Sequence, residues 1–214
     1  MRVKICGLMR PRDVQVAVNQ GADAVGFVVG TPISRRNLGL EKAKNLIKRV
    51  PVFTCSVAVT AASDPKSLQK IVKTLQADAL QVHRCNLRIV DNIRKANPGL
   101  SIILPTPIHD PESILDAETT LKFSDAIMAE TPSPFGIGGT GRTHDWTLTR
   151  RLRSRIHPHP LILAGGLTPR NVRNAIEIVR PYGVDVSSGV ENKSGAKDHR
   201  KIKEFIEMAK EAEY

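Results

Sequence analysis

The feature that most limits the folds open to this chain is a strict alternation of short apolar runs with helical patterns along its whole length. Such alternation is typical of βα units that build a parallel sheet. Eight strands are predicted, each followed by a helix. They lie at residues 3–6, 24–29, 53–59, 79–82, 100–104, 126–129, 161–164 and 184–186.

Eight units leave about 27 residues per unit, close to the shortest right-handed βα crossover. The sequence therefore predicts an α/β protein, a single (β/α)8 TIM barrel with short loops, in which residues 1–214 form one domain. A doubly wound sheet is the alternative, but that fold rarely needs eight consecutive parallel strands.

A weak internal repeat places an aspartate just before three predicted strands, at Asp23, Asp78 and Asp125. The entrance of a barrel strand is the face that serves stability, so these residues are interpreted as structural. Asp64 and Asp145 are predicted to cap the helices that follow them.

The charge balance invites a comparison with nucleic-acid-binding proteins, because the formal net charge is +11. Aromatic residues make up only 4% of the chain, which leaves little to stack on bases, so no nucleic-acid partner is expected. The densest basic run, at residues 150–155, is predicted to be the solvated face of a helix whose Leu148, Leu152 and Ile156 point inward.

Compartment and membrane contact can also be predicted from the sequence. The chain lacks a secretory-type N-terminus and any apolar stretch near the roughly 20 residues that cross a bilayer, so no membrane partner is expected. Cys6, Cys55 and Cys85 are odd in number and widely spaced, which argues against a disulfide framework or zinc site and favours a reducing cytoplasm.

Polar and glycine residues follow the predicted strands, at the barrel edge where active sites lie. Gly165 and Gly166 follow the seventh strand, and Ser187, Ser188 and Gly189 follow the eighth. Small-residue loops at these two places commonly bind phosphate through backbone N–H groups. We therefore favour a phosphate site over the alternative that these glycines only form tight turns.

The remaining polar groups at this edge are candidates for proton transfer and for recognition of a second anion. Cys6 and Glu130 are the two that could move protons, the thiolate with a lowered pKa as base and the carboxyl as acid. A buried, inert thiol is the alternative for Cys6. Arg36 could pair with a carboxylate in bidentate fashion. His83 could serve as acid or base, or as a hydrogen-bonded structural residue, and no metal-ligating cluster is visible.

Eight short segments carry a family resemblance that runs in order over essentially the whole chain. They are Lys4-Ile5-Cys6-Gly7, Gly21-Ala22-Asp23-Ala24-Val25-Gly26-Phe27, Ser34-Arg35-Arg36, Leu80-Gln81-Val82-His83, Gly138-Gly139-Thr140-Gly141, Asp145-Trp146, Ala164-Gly165-Gly166-Leu167 and Val184-Asp185-Val186-Ser187-Ser188-Gly189-Val190-Glu191. Together they resemble phosphoribosylanthranilate isomerase, an enzyme family of tryptophan biosynthesis.

The resemblance implies an Amadori rearrangement of N-(5-phosphoribosyl)anthranilate without any cofactor. By position it makes Cys6 the base and Glu130 the acid, and Arg36 the ligand of the anthranilate carboxylate. Gln81 and His83 are assigned to substrate binding, and the loops after the last two strands to the phosphate. The chain is expected to be a monomer or a homodimer, and residues 136–141 are either a mobile cover or a plain surface loop.

Arg84 differs from the family pattern, in which a glycine commonly follows the histidine, and Glu130 differs because the family has aspartate as the acid. The extra methylene requires a strand end set back to suit glutamate, or else activity is lowered. The alternatives are another phosphosugar barrel, such as indole-glycerol-phosphate synthase, and a non-enzymatic basic protein that binds nucleic acid.

Overall fold

The structure is a computed structural model and describes residues 1–84, 86–132 and 141–212. Within these residues eight parallel strands close into a barrel in chain order, which confirms the predicted fold. The strands are β1 Arg2–Ile5, β2 Ala24–Val28, β3 Cys55–Thr60, β4 Ala79–Val82, β5 Ser101–Pro107, β6 Ala126–Glu130, β7 Leu161–Leu163 and β8 Gly183–Val186. Cys85 and residues 136–140 lie outside the described residues, so the two interpretations of the glycine-rich loop are not decided.

A helix follows each strand in the described part of the chain. The helices are α1 Pro11–Asn19, α2 Leu40–Ile47, α3 Pro65–Leu75, α4 Leu87–Ala96, α5 Glu112–Thr120, α6 Trp146–Ile156, α7 Val172–Val179 and α8 His199–Lys210. Short 3-10 turns occur at Leu121–Phe123 and Ser188–Val190.

The predicted caps are confirmed. Asp64 caps α3 by accepting a hydrogen bond from Ser67 N at 2.9 Å, and Asp145 caps α6 by accepting one from Thr147 N at 2.8 Å. Each carboxylate satisfies one of the N–H groups that a first helical turn leaves without a partner. Leu148, Leu152 and Ile156 of α6 are buried, as predicted for a helix whose basic residues face solvent.

Element boundaries differ from the prediction at several strand and helix ends, and two of these differences have a visible cause. Strand β3 begins at Cys55, and Phe53, which was predicted to start it, is 96% exposed in the preceding turn. Helix α7 begins at Val172 instead of at Thr168, because the Asn171 side chain bonds Thr168 N and folds those residues into a turn.

The entrance aspartates are structural, as predicted. Asp23 accepts a hydrogen bond from Val3 N at 2.9 Å, and Asp125 accepts one from Ile102 N at 2.8 Å. Asp78 likewise accepts from Ser56 N at 2.7 Å. Each carboxylate ties the start of one strand to the backbone of its neighbour, which joins β2 to β1, β4 to β3 and β6 to β5 at this end of the barrel.

Apolar side chains form two layers. The larger layer lies between the strands and the helices and includes Ile5, Phe27 and Phe205. The smaller fills the barrel interior with residues such as Val57 and Met128. The interior cluster also contains Cys6, so the thiol lies on the inner face of the barrel.

Candidate active site

A cavity at the carboxyl ends of the strands brings every predicted site residue together. Its lining includes Cys6, Arg36, Gln81, His83, Glu130, Gly165, Gly166, Ser187, Ser188 and Gly189. A wider cavity of about 560 Å³ lies at the opposite end, lined by residues such as Arg2 and Tyr182. The groups suited to acid–base chemistry converge in the first cavity, so the chemistry is assigned there.

The Cys6 thiol lies beside a strand that makes room for it. A Cβ atom on Gly26 of β2 would come within 2.9 Å of Sγ. Burial raises the pKa of Cys6 above its ordinary value, and Asp185 adds to the rise, while Lys4 and Lys197 partly offset it. The expectation of a lowered thiol pKa was therefore wrong, because desolvation of the thiolate outweighs the two lysines.

Below the thiol, Lys4 forms a buried ion pair with Asp185. Lys4 Nζ lies 2.7 Å from Asp185 Oδ1 and donates a second hydrogen bond to Gln81 Oε1 at 3.0 Å. Burial works to lower the pKa of Lys4, but Asp185 and Cys6 raise it above its ordinary value, so the ammonium stays charged in the barrel interior.

Glu130 and His83 face each other across the cavity. Glu130 ends β6 and is buried, and its Oε1 lies 3.5 Å from His83 Nδ1. The other ring nitrogen, Nε2, lies 3.1 Å from the Gln81 amide nitrogen. The candidate acid is therefore next to a histidine that is connected to Lys4 through Gln81.

Arg36 is held by a carboxylate of the protein itself. Its Nε and Nη2 bond the two oxygens of Glu191 at 2.6 and 2.9 Å, and Lys197 Nζ bonds the same carboxylate at 3.0 Å. Burial works against the Glu191 carboxylate, but Arg36 and Lys197 prevail and lower its pKa to about 2. Among the described residues the Nη1/Nη2 edge of Arg36 has no hydrogen-bond partner, and two parallel N–H groups of this kind match a second carboxylate.

The two small-residue loops pack closely on the rest of the site. Gly165 and Gly166 both have positive φ, at 89° and 65°. A Cβ atom on Gly165 would lie 2.6 Å from Thr131 N, and one on Gly189 would clash with Leu167 O. Glycine is therefore required at these positions for the two loops to pack against Thr131 and Leu167.

Comparison with known proteins identifies the family. A family profile described as N-(5'-phosphoribosyl)anthranilate (PRA) isomerase matches residues 3–208. The N-(5'-phosphoribosyl)anthranilate isomerase of Methanothrix thermoacetophila is 46% identical over 206 residues, which are 96% of each chain. This chain belongs to the phosphoribosylanthranilate isomerase family.

Solved phosphoribosylanthranilate isomerases have the same fold. A structure described as monomers generated from the dimeric enzyme of Thermotoga maritima superimposes with a TM-score of 0.84 at 33% identity. Another, in complex with reduced 1-(o-carboxyphenylamino)-1-deoxyribulose 5-phosphate, gives a TM-score of 0.84 at 34% identity. Each comparison covers 98% of both chains.

Four residues at or near this cavity are not among the predicted site residues. Lys4 and Asp185 lie within predicted strands, and Glu191 and Lys197 carry no predicted role. Side chains two residues apart in a strand point to the same face of the sheet. Lys4 lies two residues before Cys6, and Asp185 lies two before Ser187, so this spacing could have placed both on the face of the predicted site. In the described residues no helix could span a membrane, and no group of three His, Cys, Asp or Glu residues could hold a metal.

Proposed function

We propose that this chain converts N-(5'-phosphoribosyl)anthranilate into 1-(2-carboxyphenylamino)-1-deoxyribulose 5-phosphate in tryptophan biosynthesis. The observation that carries the proposal is one cavity lined by the acid Glu130, the base Cys6, Arg36 and both small-residue loops. The loops bind the phosphate, and the free edge of Arg36 binds the anthranilate carboxylate. Gln81 and His83 complete the wall near the reacting carbons.

Glu130 opens the furanose ring in the first step. Its proton passes to the ring oxygen, the bond between that oxygen and C1 breaks, and the nitrogen lone pair forms a C1=N bond. The products are a protonated Schiff base and the Glu130 carboxylate. Burial of Glu130 at the end of β6 keeps water from competing for this proton.

Cys6 removes the C2 proton in the second step. The thiolate takes the proton, the C2–H electron pair forms a C1=C2 bond, and the C1=N electrons return to nitrogen. The enolamine then loses its C2 hydroxyl proton and gains one at C1, which gives the ketone. Burial opposes the Cys6 thiolate most strongly and Asp185 adds to this opposition, while Lys4 and Lys197 favour the thiolate.

Loss of the fluorescent anthranilate amine substrate tests the proposal directly. Cys6→Ala and Glu130→Gln each remove one proton-transferring group, and kcat should fall by about 10²- to 10⁴-fold. Cys55→Ala and Glu112→Gln are matched controls outside the cavity and should retain the wild-type rate. A wild-type protein without turnover contradicts the proposed function, and full activity of Glu130→Gln contradicts the assignment of the acid.

We propose a homodimer as the oligomeric state. Val52 and Phe53 are 90% and 96% exposed in the turn before β3. Beside them, Cys55 lines an apolar cavity of about 330 Å³ at the amino-terminal mouth of the barrel. If this surface of one copy packs against the same surface of a second copy, the Phe53 rings of both copies are removed from water.

Location and domain organisation are also proposed. Cys6 and Cys55 are free thiols, which supports a reducing, cytoplasmic location. The barrel uses strands from Arg2 to Val186, and α8 packs on β1, so residues 1–214 are proposed to be one domain.

A further inference from the structure

The His83 ring has a buried nitrogen that the rest of the site leaves unexplained. His83 is 5% exposed, and among the described residues its Nδ1 has no hydrogen-bond partner. Buried polar atoms are nearly always paired, so an unpaired one in a reaction cavity indicates a hydrogen bond that forms during the reaction.

Hydrogen-bond geometry fixes which ring nitrogen carries the proton. Lys4 Nζ can only donate, so the Gln81 atom 3.0 Å from it must be the amide oxygen. The Gln81 amide nitrogen therefore points at His83 Nε2, 3.1 Å away, and donates to it. A nitrogen that accepts has no proton, which leaves the ring proton on Nδ1.

Asp185 stabilises the cationic end of this chain of contacts. Its Oδ1 bonds Lys4 Nζ at 2.7 Å and holds the ammonium in the interior, where Gln81 Oε1 reaches it. The order Asp185, Lys4, Gln81, His83 runs across the barrel from β8 through β1 to β4. It ends 3.5 Å from Glu130 Oε1 on β6.

We infer that Lys4 and Gln81 hold His83 as the neutral Nδ1–H tautomer, whose N–H faces Glu130 Oε1 at 3.5 Å and leaves Oε2 to carry the proton to the substrate. The inference rests on the proposed function. When Glu130 has given its proton to the ring oxygen, the Nδ1–H group bonds the new carboxylate. The 3.5 Å separation shortens at that point, as catalytic hydrogen bonds do in reacting complexes. His83 is thus a positioning residue for the acid.

Nitrogen-15 NMR of the histidine side chains tests the tautomer. The signal of His83 is assigned by its loss in His83→Asn, and wild type should show a protonated Nδ1 and a bare Nε2. In Gln81→Glu both carboxylate oxygens accept, from Lys4 and from the ring, so the proton should move to Nε2. His144, held between the hydroxyls of Thr131 and Thr149, is the internal control and should not change.

Kinetics then separate positioning from a purely structural role. Gln81→Glu should lower kcat about ten- to a hundredfold with little change in KM, because the carboxylate of Glu130 loses a charge-assisted hydrogen bond. His83→Asn places an amide N–H where Nδ1–H was and should stay within about tenfold of wild type, whereas His83→Leu should lose more.

Each outcome decides the inference. A bare Nδ1 in wild type, or a tautomer change in Gln81→Glu without loss of kcat, overturns it. If Gln81→Glu does not fold, equal rates for His83→Asn and His83→Leu overturn it instead. A wild-type protein with the predicted tautomer but no turnover would contradict the proposed function and leave the tautomer assignment standing.

Discussion

At the residue scale the proposed chemistry depends on how the charges around the Cys6 thiol set its pKa. Asp185 raises the pKa of Cys6, after burial has raised it, and Lys4 lowers it. Asp185→Asn keeps the shape of the side chain and removes its charge, so the thiol pKa should fall. The rate of Cys6 alkylation by iodoacetamide should then rise at a lower pH than in wild type. If the midpoint pH of Cys6 alkylation in Asp185→Asn is unchanged or higher, Asp185 does not raise the thiol pKa. Asp91→Asn, on α4 and outside the cavity, is the control and should behave as wild type.

Glu191 makes a second prediction at this scale, on stability. Its pKa is about 2 in the fold and 4.5 in the unfolded chain, so the fold gains about 3 kcal/mol above pH 4.5. That gain is lost as the pH falls from 4.5 towards 2. Glu191→Gln should unfold more easily at pH 7 and lose less stability on acidification, measured by urea unfolding at pH 7 and pH 3. Glu204→Gln on the surface of α8 should follow wild type, and a parallel pH dependence in Glu191→Gln would contradict the prediction.

The sequence predicted individual site residues better than it predicted their partners. Cys6, Arg36 and Glu130 were found because each follows a strand. Lys4 and Asp185 were missed as a pair because they are neighbours only through the contact of β1 with β8, where Lys4 is in register with Asp185. That contact forms when the barrel closes, and no local pattern in the sequence records it.

At the element scale the clearest test concerns β2. Gly26 has no positive φ and is required only for space, since a Cβ atom would lie 2.9 Å from Cys6 Sγ and 3.3 Å from Lys4 Cε. Gly26→Ala should displace the thiol and lower kcat about a hundredfold, with the far-ultraviolet circular dichroism of a folded barrel. Gly39→Ala, which meets nothing within 4 Å, should be as active as wild type. Equal kcat values for Gly26→Ala and Gly39→Ala would contradict the prediction, because they would show that Cys6 can be displaced without loss of rate.

Element boundaries also show where pattern alone fails. Apolar runs located all eight strands, because parallel strands buried on both faces are apolar throughout. Phe53 was added to the third run for the same reason, although it is exposed. The sequence pattern is the same whether an aromatic residue next to an apolar run belongs to the strand or to the turn before it. Only the structure, in which β3 begins at Cys55, assigns Phe53 to the turn.

At the scale of the whole molecule, two apolar layers on either side of one closed sheet leave both barrel mouths available for different tasks. The carboxyl-end mouth holds Glu130 and Cys6, the proposed acid and base, and the two loops proposed to bind the phosphate. The other mouth is tied together by the aspartates at the strand entrances and is flanked by Val52 and Phe53. Separation of the two ends lets an association surface form without touching the site.

This separation leads to a prediction about assembly. Wild type should sediment at twice the 23.5 kDa mass of the chain, and Phe53→Asp should sediment at the single mass, because a charge in place of the exposed ring cannot be buried against a second copy. Leu115→Asp changes another exposed apolar residue, on α5, and should stay dimeric. The isolated Phe53→Asp monomer should keep its kcat, since every residue of the site comes from one chain, and should unfold at a lower temperature that no longer rises with protein concentration. A monomeric wild type would contradict the proposed homodimer. A dimeric Phe53→Asp variant would show that the two copies associate through another surface.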